Sequence, residues 1–366
     1  MQFSIQGKVL SAALKSVSRV IPKRAARPIL QNVLISCNGA LELAGTDMEV
    51  AMRVKLEGET VGTGEILIPA ARLATILRGV NGETLTFKAE GGTAEVSWPR
   101  RAFTLMGEDA ADFPVIPTFP AGKGLKIDAG TFREMFKRVS FAVAAEESRY
   151  ALHGLQIIVK DGSLTFVATD GKRLAVQTGT IQGRGTFTAL VPSRVLADIA
   201  AAIPKRGKDL GDVSILPKAR RVLFQYGAVS FVASKIDGTF PNWEQVIPSR
   251  SEYRVKVDPS ELTAAIKDAG ILASEGSHSV HLAFGRDTLT VSAKVSNVGD
   301  CTAEIPILGG DIEPLEVHFN PKYLLDYLKA SDGEIVTFWI NDPRSAVKVT
   351  DGSNGVHVLM PITLTT

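Results

Sequence analysis

The chain has 366 residues, 45% of them hydrophobic and 22% charged, with 41 Lys and Arg against 39 Asp and Glu; this composition describes a globular protein with a core and two or three domains. No run of about eighteen apolar residues occurs, so no membrane-spanning helix is expected, and the opening MQFSIQGKVL lacks the charged-then-apolar layout of a signal peptide. Two isolated cysteines, Cys37 and Cys301, and five scattered histidines offer neither a disulfide framework nor a zinc or HExxH site. They fit a reducing cytosol and a protein without a metal or cofactor.

Taken in chain order, the elements repeat three times. A first helix carries Leu10, Leu14 and Val17 on one face, the spacing of an amphipathic helix. Short alternating strands follow, including LELAGTDMEVAMRV (41–54). A second helix begins after Pro69 in ILIPAARLATIL and buries Leu73, and the unit closes on ADFPVIP (111–117) and the linker PTFPAGKG (117–124). The next unit repeats this order: Phe132, Phe136 and Val139 on a helix, LTFVATDGKRLAVQT (164–178), a second helix after Pro192 with Leu196, then GTFPNWEQVIP (238–248) and the linker PSRSEY (248–253). Thr46-Asp47 lies 123 residues before Thr169-Asp170, and Pro69 lies 123 residues before Pro192. The third unit offers Leu262, Ile266 and Ala269, the strand GRDTLTV, and VHFNPKYLLDYL (317–328) with Asn320 in the proline position and Leu324 four residues on. Pro and Asn-Pro are good helix starts, and Gly turns punctuate the strands. The expected fold is α+β, with three similar domains at 1–120, 124–248 and 251–366, each of two helices packed on antiparallel sheet.

Charge is uneven along these units. Residues 1–121 carry a net +1, residues 122–250 a net +8 and residues 251–366 a net −7. This points to a polyanion near the middle, to head-to-tail self-association, or to both. The helices place cations away from their apolar stripes: Lys15 and Arg19, then Lys23 and Arg24, on the first; Arg133 and Lys137 on its repeat. Arg72 and Arg78 flank the second helix, Arg194 begins its repeat, and Lys205, Arg206 and Lys208 follow its end. Each alone reads as a solvated surface charge, but recurrence on corresponding helices favours contacts to nucleic-acid phosphates, which carry no sequence information.

The stretch FVATDGKRLAV (166–176) reads first as a hairpin turn, since Asp-Gly between apolar runs is a strong turn signal. Thr46-Asp47 recurs without the Gly-Lys-Arg continuation, so Gly171 to Leu174 require a reason of their own. An enzyme is not expected. The sequence has no Walker A loop, no GxGxxG after a strand, no GxSxG and no His–carboxylate constellation, and adjacent Glu146 and Glu147 make a poor catalytic pair. A repeat-built adaptor that binds proteins but not DNA is the alternative, and the basic helix faces argue against it.

The order and spacing of RPILQNVLI (27–35), AGTDMEV (44–50), ADFP (111–114), RYALHGL (149–155), VATDGKRLAV (167–176), DGTFPNW (237–243) and VLMPITL (358–364) resemble those of the bacterial DNA sliding clamps, the beta subunits of DNA polymerase III. The resemblance spans the whole chain. It implies a cytoplasmic, non-catalytic processivity factor: a head-to-tail homodimer of six domains that encircles duplex DNA without sequence preference and tethers polymerase, clamp loader and other proteins by short linear peptides.

By the same resemblance, Leu152, Thr169, Gly171, Lys172, Arg173, Leu174, Pro241, Val246, Val358, Met360 and Pro361 belong to a deep peptide pocket, and Gln245 is a further peptide-binding position. Asn320, Tyr323, Arg344 and Ile362 belong to a shallower groove. Arg24, Tyr150 and Arg194 approach DNA, and Phe103 and Leu105 meet Ile271 and Leu272 across the dimer interface. There, Arg100 and Arg101 could pair with Asp300 or Glu304. Departures from the familiar pattern are Lys172 for a histidine, Gln245 for an arginine, Arg344 for an aliphatic residue, Thr363 for an arginine, Glu146 for an amide, Ala151 for a tyrosine, and the extra Thr365-Thr366.

Overall fold

The fold comes from a computed structural model that describes residues 1–80, 82–145, 150–207, 209–274 and 278–363. Glu146, Glu147, Lys208 and Thr365-Thr366 lie outside the described residues, as does the side chain of Tyr150. The architecture is α+β. Six α-helices occur among the described residues: α1 (Gly7–Val17), α2 (Ala70–Leu77), α3 (Ala129–Ser140), α4 (Ser193–Ala202), α5 (Pro259–Ala273) and α6 (Pro321–Ala330).

Their local chemistry is legible. Leu10, Leu14 and Val17 of α1 and Leu262, Ile266 and Ala269 of α5 are buried. On α3, Phe132 and Val139 are buried as expected, but Met135 occupies the third core position and Phe136 is half-buried. The Asp258 carboxylate accepts from Ser260 N at 2.7 Å and Glu261 N at 3.0 Å at the start of α5, and Asn320 accepts from Lys322 N at 2.9 Å at the start of α6. Such a cap is worth about 1 kcal/mol. Gly7 opens α1 because a Cβ there would lie 2.2 Å from Val80.

The described strands form four antiparallel sheets. A five-stranded sheet runs Glu59–Val61, Gln2–Gln6, Thr84–Glu90, Thr93–Trp98, Arg101–Met106. A four-stranded sheet runs Gly299–Pro306, Thr288–Val295, Val280–Phe284, Leu315–Phe319. The other two combine strands of successive repeats. In the eight-stranded sheet, Val229–Ser234 pairs with Val50–Leu56, with Val232 opposite Ala51. In the nine-stranded sheet, Gly355–Leu359 pairs with Arg173–Thr180, with Val358 opposite Leu174.

Each of these shared sheets lies within one of two compact units of the chain. One comprises Met1–Gly130, Gln182–Arg184 and Arg194–Lys235, the other Thr131–Ile181, Gly185–Ser193 and Ile236–Thr366. In the first unit Phe3 stacks on Phe87 at 4.8 Å. In the second, Phe132 meets Phe166 edge-on at 5.4 Å, and Phe284 meets Phe338 at 5.6 Å.

Candidate functional site

The turn after strand Ser163–Thr169 is built by two side chains. Thr169 Oγ1 donates to Arg173 O at 2.6 Å and accepts from Gly171 N at 3.1 Å. Asp170 Oδ1 accepts from Lys172 N at 2.9 Å and Arg173 N at 3.0 Å. Gly171 sits at φ +85°, the left-handed region that glycine adopts without penalty. Nothing would crowd a Cβ there, so the backbone angle, not packing, requires the glycine.

The first repeat corrects the expectation that Gly171–Leu174 lack a counterpart. Thr46 Oγ1 donates to Val50 O at 2.9 Å and accepts from Met48 N at 2.9 Å, while Asp47 Oδ1 accepts from Glu49 N at 3.0 Å and Val50 N at 2.9 Å. Met48 has φ +82°. The pair Thr-Asp dictates one turn in both places, and the residues after it occupy matching positions despite unlike side chains. The following strands dock alike: Met360 N donates to Lys172 O at 3.0 Å, and Ser234 N to Glu49 O at 2.7 Å.

Around the second turn lies a cleft of about 340 Å³ lined by Thr169, Gly171, Lys172, Arg173, Leu174, Pro241, Trp243, Val246, Val358 and Met360. Its walls are apolar: Leu174 and Val358 are buried beneath it together with Leu152 and Phe240, while Val246 and Met360 remain exposed. A concave apolar site with a few polar groups at its rim suits one or two aliphatic or aromatic side chains of a ligand, and Met360 supplies an adaptable wall. Trp243 adds a wall beyond the residues that the family resemblance implies. It opens a short 3₁₀ turn, Trp243–Val246, and its indole Nε1–H donates to Gln156 Oε1 at 3.0 Å. Its only sequence signal is a single Trp directly after Phe-Pro-Asn.

Gln245, Pro361, Asn320, Tyr323, Arg344 and Ile362 do not line this cleft. Asn320 caps α6, Arg344 N donates to Asp342 at 2.8 Å, and Ile362 N donates to His318 O at 2.8 Å. Arg173 connects the two groups of residues. Its buried guanidinium pairs with Asp170 at 3.0 Å and with Asp326 of α6 at 2.7 Å, donates to Phe141 O, and stacks on Tyr323 at 4.4 Å. Burial alone would raise the Asp326 pKa, but hydrogen bonds from Lys322 and Arg173 outweigh it and hold the carboxyl below its ordinary range. Arg173 therefore supports the cleft from beneath.

The helical cations divide into two groups. Lys15, Lys23, Arg24, Arg72, Arg78, Lys205 and Arg206 are exposed. Others are paired: Arg19 with Asp198 at 3.3 Å, Arg194 with Asp47 at 2.5 Å and Glu49 at 2.9 Å, and Lys137 with Glu134 at 3.0 Å and Asp332 at 2.9 Å. Arg133 is half-buried on α3. Exposed pairs of this kind are worth about 0–1 kcal/mol and are screened by salt, so an incoming phosphate can compete for the cation.

Of the residues expected at an interface, Ile271 is 69% exposed, and Phe103 is exposed while stacking on Trp98 at 5.4 Å. Arg100 and Glu304 are exposed. Leu105 and Leu272 differ from expectation. Leu105 is only 4% exposed, covered by its own sheet's core two residues along the strand face from Phe103. Leu272 is half-buried against the core of the second unit. No described helix is long and apolar enough to cross a membrane.

Three successive segments match the DNA polymerase III beta subunit: its N-terminal domain over residues 1–117, its central domain over 126–242 and its C-terminal domain over 244–363. The chain is 31% identical over 374 residues to the beta sliding clamp of Pseudomonas aeruginosa, covering 100% of both, and 30% identical over 368 residues to that of Chlamydia muridarum, covering 100% of this chain and 99% of the relative. The crystal structure of the DNA polymerase III subunit beta from Pseudomonas aeruginosa superposes with a TM-score of 0.91 at 29% identity over 100% of each chain. The sliding clamp of Bacillus subtilis, at 22% identity and a TM-score of 0.93 over 100% of each chain, shares the fold.

The fold is thus that of the three-domain DNA clamps. The chain belongs to the DNA polymerase III beta subunit family. Its role is that of the family: a non-catalytic processivity factor of DNA replication that works with DNA and the polymerase.

Proposed function

We propose that two copies of this chain close head to tail into a six-domain ring around duplex DNA in the cytoplasm, with the three repeats at 1–120, 124–248 and 251–366 as its domains. One observation carries the ring. Strands Arg101–Met106 and Gly299–Pro306 each end their sheet, and the first carries exposed Phe103 and Met106. Open edges with apolar side chains invite pairing with another chain. Pairing the two edges across copies hides both, buries Ile271 against Phe103, and brings Arg100 near Glu304. The exposed cations of α1, α2 and the segment after α4 then supply mobile phosphate contacts, so retention comes from enclosure and not from sequence readout. Polymerase, clamp loader and other DNA-processing proteins dock short linear peptides in the cleft beside Gly171, with Gln245, Pro361, Asn320, Tyr323, Arg344 and Ile362 bordering the extended path.

Size-exclusion chromatography with light scattering tests the ring: twice the chain mass is expected, and a monomer at micromolar concentration contradicts it. Titration of a labelled polymerase-derived peptide against wild type and Val246→Asp/Met360→Asp tests the cleft. The double variant is expected to lose binding while its dimer mass stays unchanged, and equal affinities would place the peptide elsewhere.

A further inference from the structure

The copy of the turn in the first repeat carries a cleft of its own. The matching wall is shorter there: Phe113 and Phe240 anchor equivalent segments and both are buried, but Pro117 follows Phe113 by four residues whereas Pro248 follows Phe240 by eight. The 3₁₀ turn Trp243–Val246 therefore has no room in the copy. The shorter segment is clamped by Arg53, which donates to Ile116 O at 3.0 Å. With Met48 in place of Gly171, the space shrinks to about 30 Å³.

What the copy presents instead is a shallow apolar patch among cations. Met48 is 50% exposed and Val115 is 88% exposed. Arg221 lines the cleft, and Lys218, Arg220 and Arg221 are exposed at the adjoining turn, with no ion pair to them among the described residues. Arg194 pairs with both acids beside Met48, Asp47 at 2.5 Å and Glu49 at 2.9 Å, which leaves one negative charge there against the three cations of the adjoining turn. A positive field thus surrounds two protruding apolar side chains.

We infer that this face is a second docking site, for a short acidic peptide segment carrying one or two aliphatic side chains. The aliphatic groups pack on Met48 and Val115, and the carboxylates meet Arg221, Arg220 and Lys218. The exposed apolar pair favours a peptide over a nucleic acid, which would need only the cations. The site is shallow, so binding is weak and salt-sensitive. This inference goes beyond peptide docking at the larger cleft and stands whether or not that docking occurs.

The test uses the full chain with Val246→Asp/Met360→Asp, which removes the apolar wall of the larger cleft. The probe is a fluorescein-labelled decapeptide of four Asp and two Leu in a Gly/Ser background, followed by anisotropy. Residual binding is expected. Adding Arg220→Glu/Arg221→Glu should weaken it about tenfold, and adding Met48→Ser/Val115→Ser should weaken it several-fold, each with an unchanged circular dichroism spectrum. The inference is overturned if no residual binding is seen, or if the Met48/Val115 pair has no effect while duplex DNA competes. The latter would mark a general polyanion surface. Loss of polymerase-peptide binding in wild type would instead count against the larger cleft alone.

Discussion

Replacing Arg173 with Met keeps the length of the side chain and removes its fork. The guanidinium is 5% exposed and holds Asp170 at 3.0 Å and Asp326 at 2.7 Å. Removing one partner of a fully buried pair costs about 3–5 kcal/mol, chiefly by stranding the other charge. Here Asp170 and Asp326 are 16% and 27% exposed, Asp326 keeps Lys322 at 2.8 Å and Asp170 keeps its two backbone amides, so neither carboxylate is left bare and the cost falls to about 2–3 kcal/mol. Lysine retains the charge but cannot bond both carboxylates and the Phe141 carbonyl together, and should lose roughly half as much. Because the chain has two compact units, a single melting temperature would mix their responses. Hydrogen exchange of the amides at Gly171 to Leu174 reads the turn directly. Arg173→Met should speed their exchange by about thirtyfold or more, and adding Asp326→Asn should recover part of that loss by removing a half-buried carboxylate that then has Lys322 as its only side-chain cation. A change below about threefold in Arg173→Met would refute the view that this guanidinium secures the turn to α6.

His357 is buried, stacked on Tyr327 at 4.8 Å and edge-on to Phe141 at 5.3 Å. Burial first, and then the Arg173 charge, lower its pKa to about 3. Its contribution to stability is complete above the unfolded value near pH 6.5 and declines as pH falls toward 3, because only the unfolded chain takes up the proton. His357→Phe should thus flatten the acid sensitivity measured by urea unfolding, by about 2 kcal/mol at pH 5; an unchanged pH profile counts against it. Phe103→Ala with Ile271→Ala should raise the dimer dissociation constant at least tenfold by analytical ultracentrifugation, and no shift at sub-micromolar concentration rejects the edge pairing. Arg24→Ala with Lys205→Ala should lower the salt dependence of duplex DNA binding by about two in log–log slope and leave sequence preference absent. An unaltered slope would place the phosphate contacts on other cations.

Much of this protein is local, and what is local was legible. The stripes Leu10, Leu14, Val17 and Leu262, Ile266, Ala269 follow from the 3.6-residue period of a helix, and Asn320 announces α6 because its cap bond spans two residues. Thr46-Asp47 and Thr169-Asp170 specify their turns by bonds reaching no more than four residues. The triple repeat follows from comparing such local signals along the chain and implies the three-domain α+β fold, whereas most of the residues lining the cleft beside Gly171 followed from the resemblance to the clamp family. The tertiary structure decided which repeats share a sheet, since Val229–Ser234 could satisfy its backbone groups against any compatible edge and only packing selects Val50–Leu56. It alone showed that Arg173 reaches Asp326 across 153 residues of sequence, that Leu105 belongs to its own core while Phe103 does not, that Trp243 walls the cleft, and that Met48 and a shorter loop fill its copy. Those outcomes depend on which surfaces meet at van der Waals distance, and a one-dimensional pattern of side chains does not encode that distance.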